Sequence, residues 1–312
     1  MVPVKTILIG NGYFGGLYRE RMNESTGYTL VGVVDFDPSR LPTGPYITAT
    51  SLDDILRHVD ADAVVIATPP TTHKQLSIKA LEAGLHVFCA KPAALSIPDC
   101  FYIHGVARRA DRAFYVDYTM LASPESNTIA QQIEMLGDAA LMTSIRHVVT
   151  PPKPEGIIWD LACHDVATFY TYCDYDHVTS VVCKLSDNTM LAELHDGKKV
   201  VGLINAACNA RTPNKAVTFR LAPRKPISTQ QLSIVWDQNA RNVSINAHGK
   251  GVTLDFAKNP DPISLSLARF KREAFSAYMN RFSIDLHQWV TMILEALDKS
   301  AKASGASVEV RA

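Results

Sequence analysis

The feature that most constrains the fold is a set of glycines between a predicted strand and a predicted helix. Residues 4–9 are apolar and β-branched, which indicates a buried parallel strand, and residues 13–22 are typical of a helix. Gly10, Gly12 and Gly15 connect them in a G-x-G-x-x-G pattern. In a nucleotide-binding βαβ unit such glycines permit a tight turn, a close approach to pyrophosphate and close helix packing.

The next strand supplies the context that raises this pattern above an ordinary glycine turn. It is predicted at 29–34 and leads into Asp35, about twenty residues after the glycines, where an acid accepts hydrogen bonds from the adenosine ribose. Tyr13 and Phe14 open the helix whose N-terminus would face the phosphates. The Asp35 carboxylate would repel a 2′-phosphate and favours NAD over NADP, whereas Arg40 is placed to turn toward such a phosphate.

Residues 1–119 continue this alternation of strands and helices, which predicts an N-terminal Rossmann domain, a doubly wound parallel sheet. A ligand binds such a sheet at the carboxyl ends of its strands. Strands are predicted at 4–9, 29–34, 63–67, 85–89 and 113–117, and helices at 13–23, 51–58, 72–83 and 97–110.

The succession of predicted strands and helices changes in residues 120–312. Many strands in succession, separated by turn signals, predict a C-terminal α+β domain with a large, mostly antiparallel open sheet. One face of this sheet would pack on helices, and the other would join subunits in a homodimer or homotetramer. Strands are predicted at 140–149, 177–185, 189–195, 199–208, 216–221, 230–236, 242–247 and 252–256, and helices at 124–136, 263–280 and 285–303.

Composition excludes several classes of protein. The chain of 312 residues carries 31 basic and 31 acidic side chains, so no basic surface for nucleic acid is predicted. No apolar run approaches the ~20 residues that span a bilayer. The first strand starts so early that no signal peptide is expected, and the six cysteines lack metal-like spacing. These observations predict a cytoplasmic protein with reduced cysteines and no metal site.

Asp160 and His164 are the first candidates for chemistry. They are four residues apart on a predicted helix, so they share one face with Cβ atoms ~6 Å apart. A carboxylate raises the pKa of a neighbouring imidazole and orients it, which suits a general base for an alcohol. A surface ion pair would show the same spacing. Asp165 points to another face and is predicted to be structural.

Further candidates follow two strands of the first domain, at the edge where the dinucleotide would bind. Thr68 and Pro69 follow the strand predicted at 63–67, and His73 opens the next helix, either touching cofactor or capping structure. Lys91 follows the strand predicted at 85–89. A positively charged nicotinamide ring nearby would lower the pKa of this lysine, which allows it to share proton transfer or to bind the substrate oxygen.

Together these motifs resemble the glucose–fructose oxidoreductase, inositol dehydrogenase and MocA (Gfo/Idh/MocA) family over nearly the whole chain. The resemblance rests on the glycine pattern, Ala67-Thr68-Pro69-Pro70-x-x-His73, Gly84-Leu85-His86-Val87 leading to Lys91-Pro92, Asp160-x-x-x-His164, and the last helix around Ala296-Leu297. It implies that Lys91 is the catalytic lysine and that Asp160 and His164 bind substrate and transfer its proton. Ala90 departs from the family, which usually has glutamate before the lysine.

The resemblance implies an NAD(P)-dependent oxidoreductase acting on a secondary alcohol or ketone of a sugar, cyclitol or nucleotide sugar. His164 is favoured as the base, with Lys91 orienting the hydroxyl. Arg146, Lys153 and Arg211 are candidates for binding a diphosphate. Two alternatives stay open within the family: reduction of an imine or conjugated double bond, and a non-catalytic dinucleotide-binding sensor or regulatory protein.

Overall fold

The chain forms two compact units in a computed structural model. The model describes residues 2–223, 232–247, 249–275 and 281–310 (for 281 and 282 the backbone alone). The first unit comprises Met1–Ala122 and Pro260–Gln288, and the second comprises Ser123–Asn259 and Trp289–Ala312. The alternation of elements did not indicate that residues 260–288 group with the first unit.

The first unit contains a six-stranded parallel sheet. Its strands are β1 Val4–Ile9, β2 Tyr28–Val34, β3 Ile47–Ala49, β4 Ala63–Ile66, β5 His86–Ala90 and β6 Phe114–Asp117. Their order, β3-β2-β1-β4-β5-β6, is that of a dinucleotide-binding Rossmann sheet and confirms the predicted fold class. The three-residue strand β3 was not predicted, because so short an edge strand carries no alternation in its sequence.

The second unit contains a nine-stranded sheet. Its strands are β7 Gly137–His147, β8 Ser180–Ser186, β9 Thr189–Asp196, β10 Lys199–Ala207, β11 Asn214–Pro223, β12 Leu232–Asp237, β13 Asn242–Ala247, β14 Lys250–Asp255 and β15 Val308–Glu309. They are ordered β14-β13-β12-β11-β7-β10-β9-β8-β15. Among the strand pairs described in this sheet, only β7–β10 is parallel. The predicted, mostly antiparallel sheet is therefore confirmed.

The helices begin and end close to the predicted positions. They are α1 Tyr13–Glu24, α2 Leu52–Ile55, α3 Pro70–Glu82, α4 Ile97–Ala110, α5 Pro124–Leu136, α6 Cys163–Tyr172, α7 Pro262–Ala274 and α8 Arg281–Lys302. Ser51 caps α2, because its hydroxyl accepts the Asp54 N–H at 3.2 Å. The ends of the strand predicted at 230–236 and the helix predicted at 263–280 fall partly outside the described residues.

Helix α7 packs on the sheet of the first unit. Phe270 is fully buried, and its ring lies 5.5 Å from that of Phe88 on β5 and 6.0 Å from that of Tyr115 on β6. The Tyr28 hydroxyl donates to the Leu267 carbonyl oxygen. Burying one such aromatic side chain contributes about 1.5–3 kcal/mol. Residues more than 140 positions from β6 thereby complete the hydrophobic core beneath it.

The sheet of the second unit has two unlike faces. On β9 the side chains of Met190, Ala192 and Leu194 are buried, whereas Leu191 is exposed. Helices α5 and α6 pack on β7, on the covered side. Within the described residues, no helix combines the length and the apolar composition needed to cross a membrane.

Candidate active site

Two glycines define the loop between β1 and α1. Gly10 has φ +91°, in the left-handed region that favours glycine, and a Cβ there would lie 2.9 Å from the carbonyl group of Ala67. A Cβ on Gly15 would lie 1.9 Å from the carbonyl oxygen of Gly10. The backbone path itself therefore requires glycine at both positions.

Gly12 differs because the space beside it is open. It is the N-cap residue of α1, and a Cβ there would meet, among the described residues, only the Arg40 guanidinium at 3.7 Å. Tyr13 and Phe14 begin the helix with exposed side chains. The first N–H groups of a helix and the positive end of its dipole attract anions. The loop therefore fits the pyrophosphate of a dinucleotide.

The Asp35 carboxylate braces this loop. Asp35 is 4% exposed, and its oxygens accept the backbone N–H groups of Asn11, at 2.7 Å, and Asp37, at 3.0 Å. Arg40 is held nearby, because its carbonyl oxygen accepts the Asn11 side-chain amide at 2.6 Å and its Nε lies 3.4 Å from the Asp37 carboxylate. Each Asp35 oxygen retains a second lone pair that can accept a hydrogen bond from a hydroxyl group.

A buried histidine fixes the loop that follows β4. Thr68 and Pro69 precede α3, and the Thr72 hydroxyl donates to the Pro69 carbonyl oxygen at 2.8 Å. His73 is 1% exposed, and its ring nitrogens lie 2.7 Å from the Thr68 carbonyl oxygen and 2.8 Å from that of Pro92. Burial lowers the pKa of His73, although the hydrogen bonds to the two carbonyl oxygens act in the opposite direction. The geometry favours the structural alternative, in which the ring lies between two loops, and a ring with one N–H donates to one of the two carbonyls.

Lys91 follows β5 at the carboxyl edge of the same sheet, and its side chain is partly buried. Asp117 ends the neighbouring strand, pairs in register with Ala90, and accepts the Ser266 hydroxyl at 2.6 Å. Burial raises the pKa of Asp117, and Lys91 is close enough to oppose this rise. A carboxylate therefore lies on the strand next to the position where the family usually has glutamate.

In the second unit, the helix that carries Asp160 and His164 begins with a π-helical turn, Ile158–Ala162, which α6 continues. Such turns occur frequently at functional sites. Asp160 is 6% exposed, and its carboxylate accepts the Lys153 ammonium group at 2.9 Å. His164 is partly buried in the first turn of α6. The sequence predicted one helix with both residues but not the π-turn, because a slipped backbone hydrogen bond has no side-chain signature.

Helix α6 is anchored to the sheet by a buried ion pair. Asp165 is fully buried, and its oxygens lie 2.9 Å and 2.8 Å from the Nε and NH2 atoms of Arg146 on β7. The Ser144 hydroxyl donates to the same carboxylate at 2.6 Å. Asp165 is structural, as predicted. Arg146 was a wrong candidate for binding a diphosphate, because the residue is only 4% exposed and its guanidinium is bound to Asp165.

Sequence reasoning missed the residues that support the candidate site. Asn11 holds both Asp35 and Arg40, and its amide gives no pattern that marks this role. Lys153 was a candidate only for binding a diphosphate, whereas the structure pairs its ammonium group with Asp160. Cys208 follows β10 near Asp160; its burial and this carboxylate raise the pKa of the thiol. Arg211, the remaining candidate for a diphosphate, is exposed.

Among known proteins, the family match covers the parallel-sheet part of the first unit. Residues 4–118 match a family model, GFO_IDH_MocA, described as an oxidoreductase family with an NAD-binding Rossmann fold. Over 102 residues the chain is 38% identical to 2,7-anhydro-N-acetylneuraminate hydratase of Mediterraneibacter gnavus; this stretch is 32% of the chain and spans only 27% of that relative. Inositol 2-dehydrogenase of Rhizobium meliloti is 27% identical, with 81% of each protein covered.

Solved structures extend the likeness to both units. KijD10, a 3-ketoreductase from Actinomadura kijaniata crystallised with NADP and TDP-benzene, superposes with a TM-score of 0.81 at 15% identity. The superposition covers 96% of this chain and 98% of KijD10. At this identity the likeness shows a shared fold.

Proposed function

The chain belongs to the Gfo/Idh/MocA oxidoreductase family through its Rossmann domain, and from this premise we propose that it transfers a hydride between a nicotinamide dinucleotide and a secondary alcohol or ketone. The observation that carries the proposal is the glycine loop. Gly10 and Gly15 admit no side chain, Gly12 leaves the helix N-terminus open, and Asp35 braces the loop from behind. This combination fits a dinucleotide phosphate and ribose.

NAD is the cofactor that the loop favours. The Asp35 carboxylate would repel the 2′-phosphate of NADP, and Arg40, which would attract it, lies beside Asp37. When bound, the dinucleotide supplies the hydride acceptor or donor. Thr68 and Pro69 shape the neighbouring loop, and His73 holds that loop in place.

We assign the proton chemistry to Lys91, Asp160 and His164. In the oxidation direction, the His164 imidazole accepts the hydroxyl proton while the hydride leaves the same carbon, so that the alcohol becomes a ketone. Lys91 donates a hydrogen bond to the reacting oxygen. Asp160, whose carboxylate is already bound to Lys153, holds a substrate hydroxyl or orients the imidazole. These roles rest on the family resemblance and on the helical spacing.

A polyhydroxylated ring is the proposed substrate class, as a sugar, cyclitol or nucleotide sugar. The names of the similar proteins support this class, because they specify an anhydro sugar acid, an inositol and a 3-ketoreductase crystallised with NADP and TDP-benzene. A panel of such compounds, assayed with NAD⁺ and NADP⁺, tests the class. If the protein turned over only imines or conjugated double bonds, the proposed substrate class would be replaced by the reductase alternative.

Cofactor binding is the primary experiment, and the chain offers a matched pair of variants. Gly12→Ala places a methyl group in the open space beside Arg40, whereas Gly16→Ala, in the next turn, meets no neighbouring atom within 4 Å. In fluorescence titrations with NADH, we expect Gly12→Ala to lose affinity at an unchanged unfolding temperature and Gly16→Ala to bind normally. Equal binding by both variants, or no binding by the wild type, would remove the basis of the proposal.

We also propose that copies of the chain associate through the open face of the large sheet. Leu191 on β9 is 56% exposed there, and Leu203 on β10 and Ile145 on β7 are partly exposed on neighbouring strands. Exposed apolar side chains grouped on a sheet indicate a contact surface. Light scattering should show a dimer or tetramer that Leu191→Glu dissociates and Met135→Glu, a matched change at an exposed apolar side chain on α5, leaves intact. A monomeric wild type would contradict the proposal.

A further inference from the structure

Three side chains that the proposed reaction does not use meet inside the first unit. Cys100 and His104 lie four residues apart on α4, so both project from the same face of the helix, and His287 lies on α8. The Cys100 Sγ is 3.4 Å and the His104 Nε2 is 2.9 Å from the Nδ1 of His287. All three candidate ligand atoms lie within 4.8 Å of one another.

These three side chains are buried. Cys100 is 0%, His104 7% and His287 1% exposed. Burial lowers the pKa of His104 to about 4, and burial and His104 lower that of His287 well below its usual value. Burial therefore disfavours the protonated form of both imidazoles, and the unprotonated form is the one that binds metals. The ring of Phe114 packs against both, at 5.3 Å from His104 and 5.9 Å from His287.

We propose that Cys100, His104 and His287 form a zinc site, with the cysteine Sγ, the His104 Nε2 and the His287 Nδ1 as ligands. A tetrahedral zinc ion with bonds of about 2.0 Å to nitrogen and 2.3 Å to sulfur separates its ligand atoms by roughly 3.3–3.6 Å. The observed 2.9 Å and 3.4 Å need to open by only a few tenths of an ångström. One thiolate and two imidazoles suit zinc, whereas magnesium and calcium prefer oxygen ligands.

The site would fasten two helices that are remote in sequence. Cys100 and His287 are separated by 187 positions, and the zinc ion would join α4 to the start of α8 within the first unit. The thiol loses its proton to become a ligand, and water supplies the fourth ligand from the side of His104, the most exposed of the three. The ion would be structural and independent of the proposed hydride transfer.

The test uses cobalt as a spectroscopic substitute for zinc in the full-length protein. Protein stripped with a chelator is titrated with Co²⁺, and we expect one equivalent to bind with tetrahedral visible bands and a thiolate-to-cobalt charge-transfer band. Cys100→Ala should abolish the charge-transfer band, and His104→Gln and His287→Gln should each weaken binding at least tenfold. Cys173→Ser, a cysteine outside the cluster, and His58→Gln, an exposed histidine, should bind as the wild type does.

A second measurement separates loss of the site from loss of folding. Zn²⁺ should raise the unfolding temperature of the wild type and of both controls, and this increase should vanish in Cys100→Ala while its circular dichroism without metal stays native. Equal Co²⁺ affinity in the wild type and Cys100→Ala would overturn the proposal. So would bound cobalt without a thiolate band, or no binding, and the cluster would then be a hydrogen-bonded part of the core.

Discussion

The first and second units position their candidate functional groups by different means. In the first unit, the backbone forms the site, since Gly10 and Gly15 leave no room for side chains and the helix N-terminus faces outward. In the second unit, buried side chains hold the helix of Asp160 and His164, chiefly through the ion pair between Arg146 and Asp165. A backbone site is recognisable from adjacent residues, whereas a side-chain site depends on partners far along the chain.

The largest expected effect separates binding from chemistry. If the first unit binds the cofactor and His164 transfers the proton, His164→Asn lowers turnover by about 10²–10⁴-fold while the affinity for NADH stays unchanged. Lys91→Met should also lower turnover severely. His177→Asn, an exposed histidine of the same unit, is the control. Steady-state kinetics and NADH titrations measure the two properties, and normal turnover in His164→Asn would refute the assigned base.

The second expected effect tests the side-chain anchor. Asp165→Ala should cost about 3–5 kcal/mol of unfolding free energy, because it leaves the buried Arg146 guanidinium without its counter-charge. Replacing both residues, as Asp165→Leu with Arg146→Met, should restore much of this loss. Urea denaturation measures the change. Asp298→Ala, which removes an ion pair with the exposed Lys302, should cost about 0–1 kcal/mol. Equal losses in the two single variants would contradict a special role for the buried pair.

The same contrast explains what the sequence predicts. The apolar runs and the glycines place β1, β2 and the loop between them, because those signals lie within forty residues. The ion pair between Arg146 and Asp165 joins strand β7 to helix α6. No local sequence pattern predicts this pairing, because the two residues lie on different elements. Cys100 and His287 meet only after the whole first unit has folded, so cysteine spacing alone predicted no metal site.

The third effect sharpens the comparison within the loop, where Asp35 braces the backbone and is also proposed to bind the adenosine ribose. Asp35→Asn keeps an oxygen for the Asn11 N–H but removes the negative charge. We expect the preference for NADH over NADPH to fall by about tenfold, or ~1.4 kcal/mol. Arg40→Gln in the same background should weaken NADPH binding. An unchanged ratio of dissociation constants would show that Asp35 serves only as a brace.

The smallest effect concerns His73, a buried side chain that holds the loop after β4 in place, and its sign follows from the direction of its pKa. Because burial lowers the pKa of His73 in the folded protein, the folded ring takes up a proton at a lower pH than the ring of the unfolded chain, which does so below about pH 6.5. Its contribution is therefore complete above that pH and lost as the pH falls, by at most about 1.4 kcal/mol per pH unit. Urea denaturation at pH 7.5 and 5.5 should show a smaller acid-induced loss in His73→Gln than in the wild type. The exposed His58→Gln should match the wild type.

If His73→Gln loses as much stability on acidification as the wild type, the ring is already protonated in the fold and donates to both carbonyls, and the first unit then depends on a buried charge much as the second does.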